Sequence, residues 1–150
     1  MKEKTLKTIN PATGKELKTY NYFSDQEAKD AVEDCHEAFL KWRQKSPKQR
    51  AEVIKAIGEK ITEHKDELVK LMTSEMGKLL KQGEQEVDLC AGICEWTAAN
   101  GPDNLKDEER ELPDGGRGII TYSPIGVIYG IQPWNFPAYQ VIRYAIANLM

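Results

Sequence analysis

The chain has 150 residues, with 21 Lys and Arg against 24 Asp and Glu, a net charge of -3 at pH 7. This length suits one domain, and the acidic balance gives no electrostatic basis for binding nucleic acid. No apolar run reaches membrane-spanning length, and no basic n-region precedes an apolar h-region, so no secretory signal is expected.

Thr5 to Asn10 reads as a short strand, residues 10–14 (NPATG) as a turn, and 16–22 as the return strand. Ser24 and Glu27 have the spacing of a capping box, so a helix starts near Asp25. Its predicted buried face carries Ala28, Ala31, Val32, Cys35, Ala38, Phe39 and Trp42 at helical spacing. Ser46 and Gln49 form a second cap signal, with Pro47 at the first helical position. Val53, Ile54, Ile57 and Ile61 face inward on the helix that follows.

A third helix is expected over 65–76, with Gly77 as its cap residue. A fourth covers about 80–99, with Val87, Cys90, Ile93, Cys94 and Ala98 on its stripe, and residues 100–102 (NGP) end it. Gly83 and Gly92 each weaken that helix by about 1 kcal/mol relative to Ala. Residues 103–111 read as a charged loop, 112–117 as a hairpin tip and 118–122 as a strand. There is no internal repeat and no low-complexity tract.

Residues 125–131 (IGVIYGI) form a short apolar run rich in β-branched residues, with Pro124 before it and Pro133 after. This predicts a strand buried on both faces, as in a parallel sheet. Pro133 and Pro137 cannot continue a ladder. A helical pattern follows over 139–150. A strand that ends in a rigid loop before a helix aims the loop at the crevice where open α/β sheets bind ligands. Asn135, held between the two prolines, offers an N–H donor that does not titrate and is able to stabilise an oxyanion. Trp134 and Phe136 would exclude water and give a flat ligand a surface. The spacing leaves a second reading open, in which the two aromatics are core and Asn135 satisfies the turn backbone.

Other candidates carry less. Cys90 and Cys94 share a helix face, but a metal needs two more ligands and nothing aligns His36 or His64 with them, so buried apolar thiols and no metal are expected. Cys35 and His36 are adjacent on a helix and do not face each other. Residues 115–118 (GGRG) lack dinucleotide and Walker spacing. Three cysteines in a chain without an export signal fit free thiols in a reducing cytoplasm. Arg143 is able to take a carboxylate bidentately; the plainer reading is a surface ion pair. Ile142, Ala145, Ile146, Leu149 and Met150 leave an apolar stripe on which the sequence stops, so an N-terminal piece of a longer protein is expected.

The segment 124–137 (PIGVIYGIQPWNFP), together with 9–15 (INPATGK), Trp42–Arg43, Arg50 and 75–78 (EMGK), resembles the aldehyde dehydrogenase superfamily. The details are most similar to its succinate-semialdehyde dehydrogenases. The resemblance implies an α/β fold: helices plus a Rossmann-like parallel sheet, with a β-hairpin arm for oligomerisation. It divides the chain into a helical part of the cofactor domain at 1–111, the hairpin at 112–123, and the first strand-loop-helix of the cofactor sheet at 124–150. It implies NAD or NADP as cofactor, with Ile131, Gln132, Pro133, Trp134 and Asn135 lining its groove. Asn135 then doubles as the catalytic oxyanion donor, with Phe136 and Arg143 binding substrate and Arg143 taking a far carboxylate.

The implied reaction is oxidation of an aldehyde, succinate semialdehyde foremost, through attack by a cysteine thiolate, with a glutamate later activating water. None of the three cysteines sits in the family's nucleophile motif. The nucleophile and the base therefore fall outside these residues, and the 150-residue piece alone is expected to be inactive. Homodimers or homotetramers are implied, with neither nucleic acid nor membrane as partner. The alternatives are a dehydrogenase for a betaine or aliphatic aldehyde, a non-catalytic module that pairs through the strand at 118–122, and a helical domain without a ligand.

Overall fold

The structure is a computed structural model that describes residues 5–150, so the first four residues of the expected 1–111 part lie outside it. β1 (Thr5–Ile9) and β2 (Glu16–Asn21) pair antiparallel, from Thr5 opposite Asn21 to Ile9 opposite Glu16. In the turn between them, the Asn10 side-chain oxygen accepts the N–H groups of Ala12 and Thr13 at 2.9 and 3.1 Å.

α1 (Asp25–Trp42) and α2 (Pro47–Glu63) begin at the two capping boxes, on Ser24 and Ser46. α3 (Lys65–Met76) ends at Gly77, whose φ of 72° is the left-handed cap conformation. α4 (Leu80–Asn104) runs five residues past its expected end and carries Pro102 within its last turn. Proline removes one backbone bond there. Packing outweighs that loss: the Met150 side chain lies against Gly101, within 2.6 Å of where a Cβ would stand.

The 103–111 segment is not all loop. β3 (Glu108–Glu111) pairs antiparallel with β4 (Arg117–Ile120) around the expected hairpin tip. Its charges are compatible with a strand because the ribbon is wet, and Arg117 reaches Glu109 across it at 3.2 Å.

α5 (Pro137–Leu149) closes the core. Ile54 of α2, Cys94 of α4 and Ile146 of α5 are fully or almost fully buried together, with Ile57, Ile93 and Ile142 around them. A second cluster joins Val69 and Met72 of α3 to Val87 of α4. Each of the buried Ile, Val and Met side chains contributes about 1.5–3 kcal/mol by leaving water.

Three expectations of burial fail, the mildest at Val53 of α2, which is 39% exposed beside the buried Ile54. No residue of α1 is buried, and Val32 is 61% exposed. No helix packs over that stripe among the described residues; a tie at the helix's end is the Trp42 indole N–H, which donates to the Leu149 carbonyl at 2.9 Å. Residues 125–131 form no ladder, and Ile125 and Ile131 are 85% and 82% exposed. A strand needs a neighbour, and among the described residues both sheets are two-stranded and antiparallel. The α/β class holds; the parallel sheet is not formed within these residues.

Candidate active site

Pro133 and Pro137 bracket a loop that leads directly into α5. Phe136 occupies the N-cap position of that helix and has no side-chain oxygen with which to cap it, and no acidic residue lies in the helix's first turn. The exposed donors are met from another helix. Glu86 of α4 accepts the backbone N–H groups of Ala138 and Tyr139 through Oε1, at 2.9 and 3.0 Å. A carboxylate there also opposes the positive end of the α5 dipole.

The other oxygen of Glu86 takes the ammonium of Lys78, which lies in the link between α3 and α4. Lys78 Nζ in turn donates to the Asn135 carbonyl at 3.1 Å and sits 3.8 Å from the centroid of the Phe136 ring. Lys78 and Glu86 are 8% and 3% exposed. Buried charges require such pairing and hydrogen bonding.

The Asn135 side-chain amide is exposed and has no hydrogen-bond partner among the described residues. The turn is therefore not satisfied by that amide: the Asn135 backbone is held from outside, by Lys78. Ile131, Gln132 and Pro133 form an exposed edge leading to it. Trp134 is 76% exposed and lines a groove of about 640 Å³ with Met72, Pro137, Ala138, Val141 and Ile142. Phe136 lies on a different path. Its ring meets Tyr139 edge-on, with centroids 6.2 Å apart, and the Arg143 guanidinium lies 5.8 Å from the Tyr139 ring. Phe136 and Arg143 are thus linked through Tyr139, and Lys78 joins Phe136 to the Asn135 carbonyl, whereas Trp134 turns toward Val141 and Ile142. Arg143 is exposed and no carboxylate pairs with it among the described residues.

Cys90 and Cys94 are fully buried. Burial pushes the Cys90 thiol up to about 12, helped by the neighbouring Glu86 carboxylate and by Cys94. Burial raises Cys94 as well. Both stay protonated near neutral pH, where the thiolate is the nucleophile and the metal ligand. Among the described residues, no three His, Cys, Asp or Glu side chains converge as a metal site.

The sequence pattern does not single out Glu86, and Lys78 stands out only as part of the EMGK segment at 75–78. The available signal was position: Glu86 falls between Gly83 and Cys90, beside Val87, on the inward stripe of α4. A charge on such a stripe requires a buried partner.

The profile of the aldehyde dehydrogenase family matches residues 1–150, and the chain belongs to that family. A succinate-semialdehyde dehydrogenase (NADP+) of Deinococcus radiodurans is 36% identical over 148 residues, 99% of this chain and 31% of that protein. The succinate semialdehyde dehydrogenase (NAD(P)+) Sad of Escherichia coli is 36% identical over 143 residues, 95% of this chain and 31% of that protein. The crystal structure of succinic semialdehyde dehydrogenase from Streptococcus pyogenes in complex with NADP+ superimposes with a TM-score of 0.89 at 32% identity, over 95% of this chain and 31% of that one. The chain thus spans about a third of the length of the relatives it matches.

Proposed function

We propose that the full-length protein oxidises succinate semialdehyde to succinate with NAD(P)+. The observation that carries this reading is the Asn135 amide, without a hydrogen-bond partner among the described residues, on a loop whose backbone is fixed at the Asn135 carbonyl. A fixed amide N–H costs little reorganisation as charge develops on an aldehyde oxygen. In this reading a cysteine outside these residues adds to the aldehyde carbon, and Asn135 donates to the resulting oxyanion. Phe136 keeps water from one side of the reacting group. Arg143, with no acid of its own among the described residues, receives the substrate's far carboxylate.

The exposed edge of Ile131, Gln132, Pro133 and Trp134 fits a flat cofactor, because apolar surface and an indole face lie open along it. NAD or NADP, when bound, supplies the hydride acceptor. The same reading keeps residues 1–111 and 124–150 as parts of the cofactor domain and assigns the hairpin at 112–123 to a homodimer or homotetramer. The free thiols support a cytoplasmic location.

The test is a substrate panel with the full-length protein: succinate semialdehyde, betaine aldehyde and an unbranched aliphatic aldehyde, each with NAD+ and with NADP+. The highest kcat/KM is expected for succinate semialdehyde. A preference for an uncharged aldehyde overturns the substrate assignment, and no reduction of either cofactor with any aldehyde overturns the reaction.

A further inference from the structure

We propose that Lys78 and Glu86 are positioning residues for Asn135, an inference that rests on the oxyanion role given to Asn135 above. Their side chains are 5% and 0% exposed, and both charged groups are aimed at the same short loop. Lys78 fixes the Asn135 carbonyl at 3.1 Å and lies over the Phe136 ring. Glu86 fixes the N–H groups of Ala138 and Tyr139 at 2.9 and 3.0 Å. The backbone is thereby gripped at Asn135 itself and again three and four residues later. Pro137 stiffens the short span between the two grips.

None of these contacts involves the Asn135 side chain. The pair sets where the amide stands without consuming its donor. A stability role alone would not require this chemistry, since an apolar pair of similar volume often serves a core as well as a buried ion pair does. A carboxylate that accepts two amides at a helix start, joined to an ammonium that reaches one particular carbonyl, defines a geometry that an apolar pair cannot. Preorganisation of this kind is what a transition-state donor requires, and displacement of a reacting group by about 1 Å costs on the order of a hundredfold in rate.

The experiment uses the full-length enzyme with the paired substitution Lys78→Met and Glu86→Gln. This removes both charges together and leaves an amide oxygen for Ala138 and Tyr139. The expected result is a fall in kcat for succinate semialdehyde of roughly ten- to a hundredfold, with KM and the NADP+ dissociation constant little changed. In an Asn135→Ala background, the same pair of substitutions is expected to produce almost no further loss, because no amide remains to be misplaced.

A full-sized loss repeated in the Asn135→Ala background shows a merely structural role and overturns the inference. So does wild-type kcat in the Lys78→Met/Glu86→Gln enzyme when Asn135→Ala is impaired. Should the paired variant fail to fold, Lys78→Met alone carries the same comparison with the same overturning results, since Glu86 keeps the N–H groups of Ala138 and Tyr139. Wild-type turnover by Asn135→Ala marks failure of the functional reading itself.

Discussion

Gly58 in α2 lies so close to Cys94 in α4 that a Cβ on it would stand 2.8 Å from the Cys94 Cβ. Both residues are buried, and they join the helix pair that carries Ile54 and, across it, Ile146 of α5. The depth at which α5 docks, and with it the loop that precedes α5, depends on that approach.

Gly58→Ala is expected to destabilise the protein. Helix propensity favours Ala by about 1 kcal/mol. Overpacking typically costs about 1–3 kcal/mol, and a clash with a Cβ is not relieved by changing a rotamer. The cost therefore falls toward the upper end and wins. A lower urea midpoint checks this; an unchanged or raised midpoint contradicts it.

The buried thiols set an alkaline limit. Cys90 has its thiol raised from 9.0 to about 12 in the folded chain. Above pH 9 the unfolded chain gives up that proton while the folded chain keeps it, so the unfolded state binds fewer protons and stability declines as pH rises toward 12. Below pH 9 the contribution is fully present. Cys90→Ala should flatten the decline between pH 9 and the highest pH at which unfolding remains reversible, as measured by urea titration. An equally steep decline in the variant contradicts the assignment.

The same burial makes a chemical distinction among the cysteines. Cys35 is exposed, whereas Cys90 and Cys94 are buried. Iodoacetamide at pH 8 should label the native protein at Cys35 and leave the other two unlabelled until denaturant is added, as read by peptide mass spectrometry. Prompt labelling of Cys94 in the native protein contradicts the packing of α2, α4 and α5.

Most of the helical part is written locally. Ser24 with Glu27, and Ser46 with Gln49, mark helix starts with side chains that bond within four residues, and Gly77 marks a stop by its conformation. What was not legible depends on distant partners. Residues 125–131 have the composition of a buried strand, yet composition does not supply the neighbouring strand. The stripe of α1 has helical spacing, yet spacing does not supply the surface that covers it. Pro102 reads as a helix end until Met150 is seen lying against Gly101. At the candidate site, Asn135 stood out because its two prolines are in sequence beside it. Glu86 did not, because Ala138 and Tyr139, which it caps, lie 52 and 53 residues away.

Arg143 gives a test of substrate choice. Hydrogen bonds to charged groups contribute about 1.5–3 kcal/mol, so Arg143→Ala in the full-length enzyme should raise KM for succinate semialdehyde by roughly ten- to a hundredfold. Uncharged aldehydes should be spared. Equal effects on both substrate classes remove the carboxylate role and leave Arg143 as part of the stack with Tyr139.

The most direct measurement is the turnover of Asn135→Ala in the full-length enzyme with succinate semialdehyde and saturating NADP+. Loss of one oxyanion donor is expected to lower kcat by about a hundred- to a thousandfold while the fold and cofactor affinity persist. A variant that turns over at close to the wild-type rate would contradict the account at its centre.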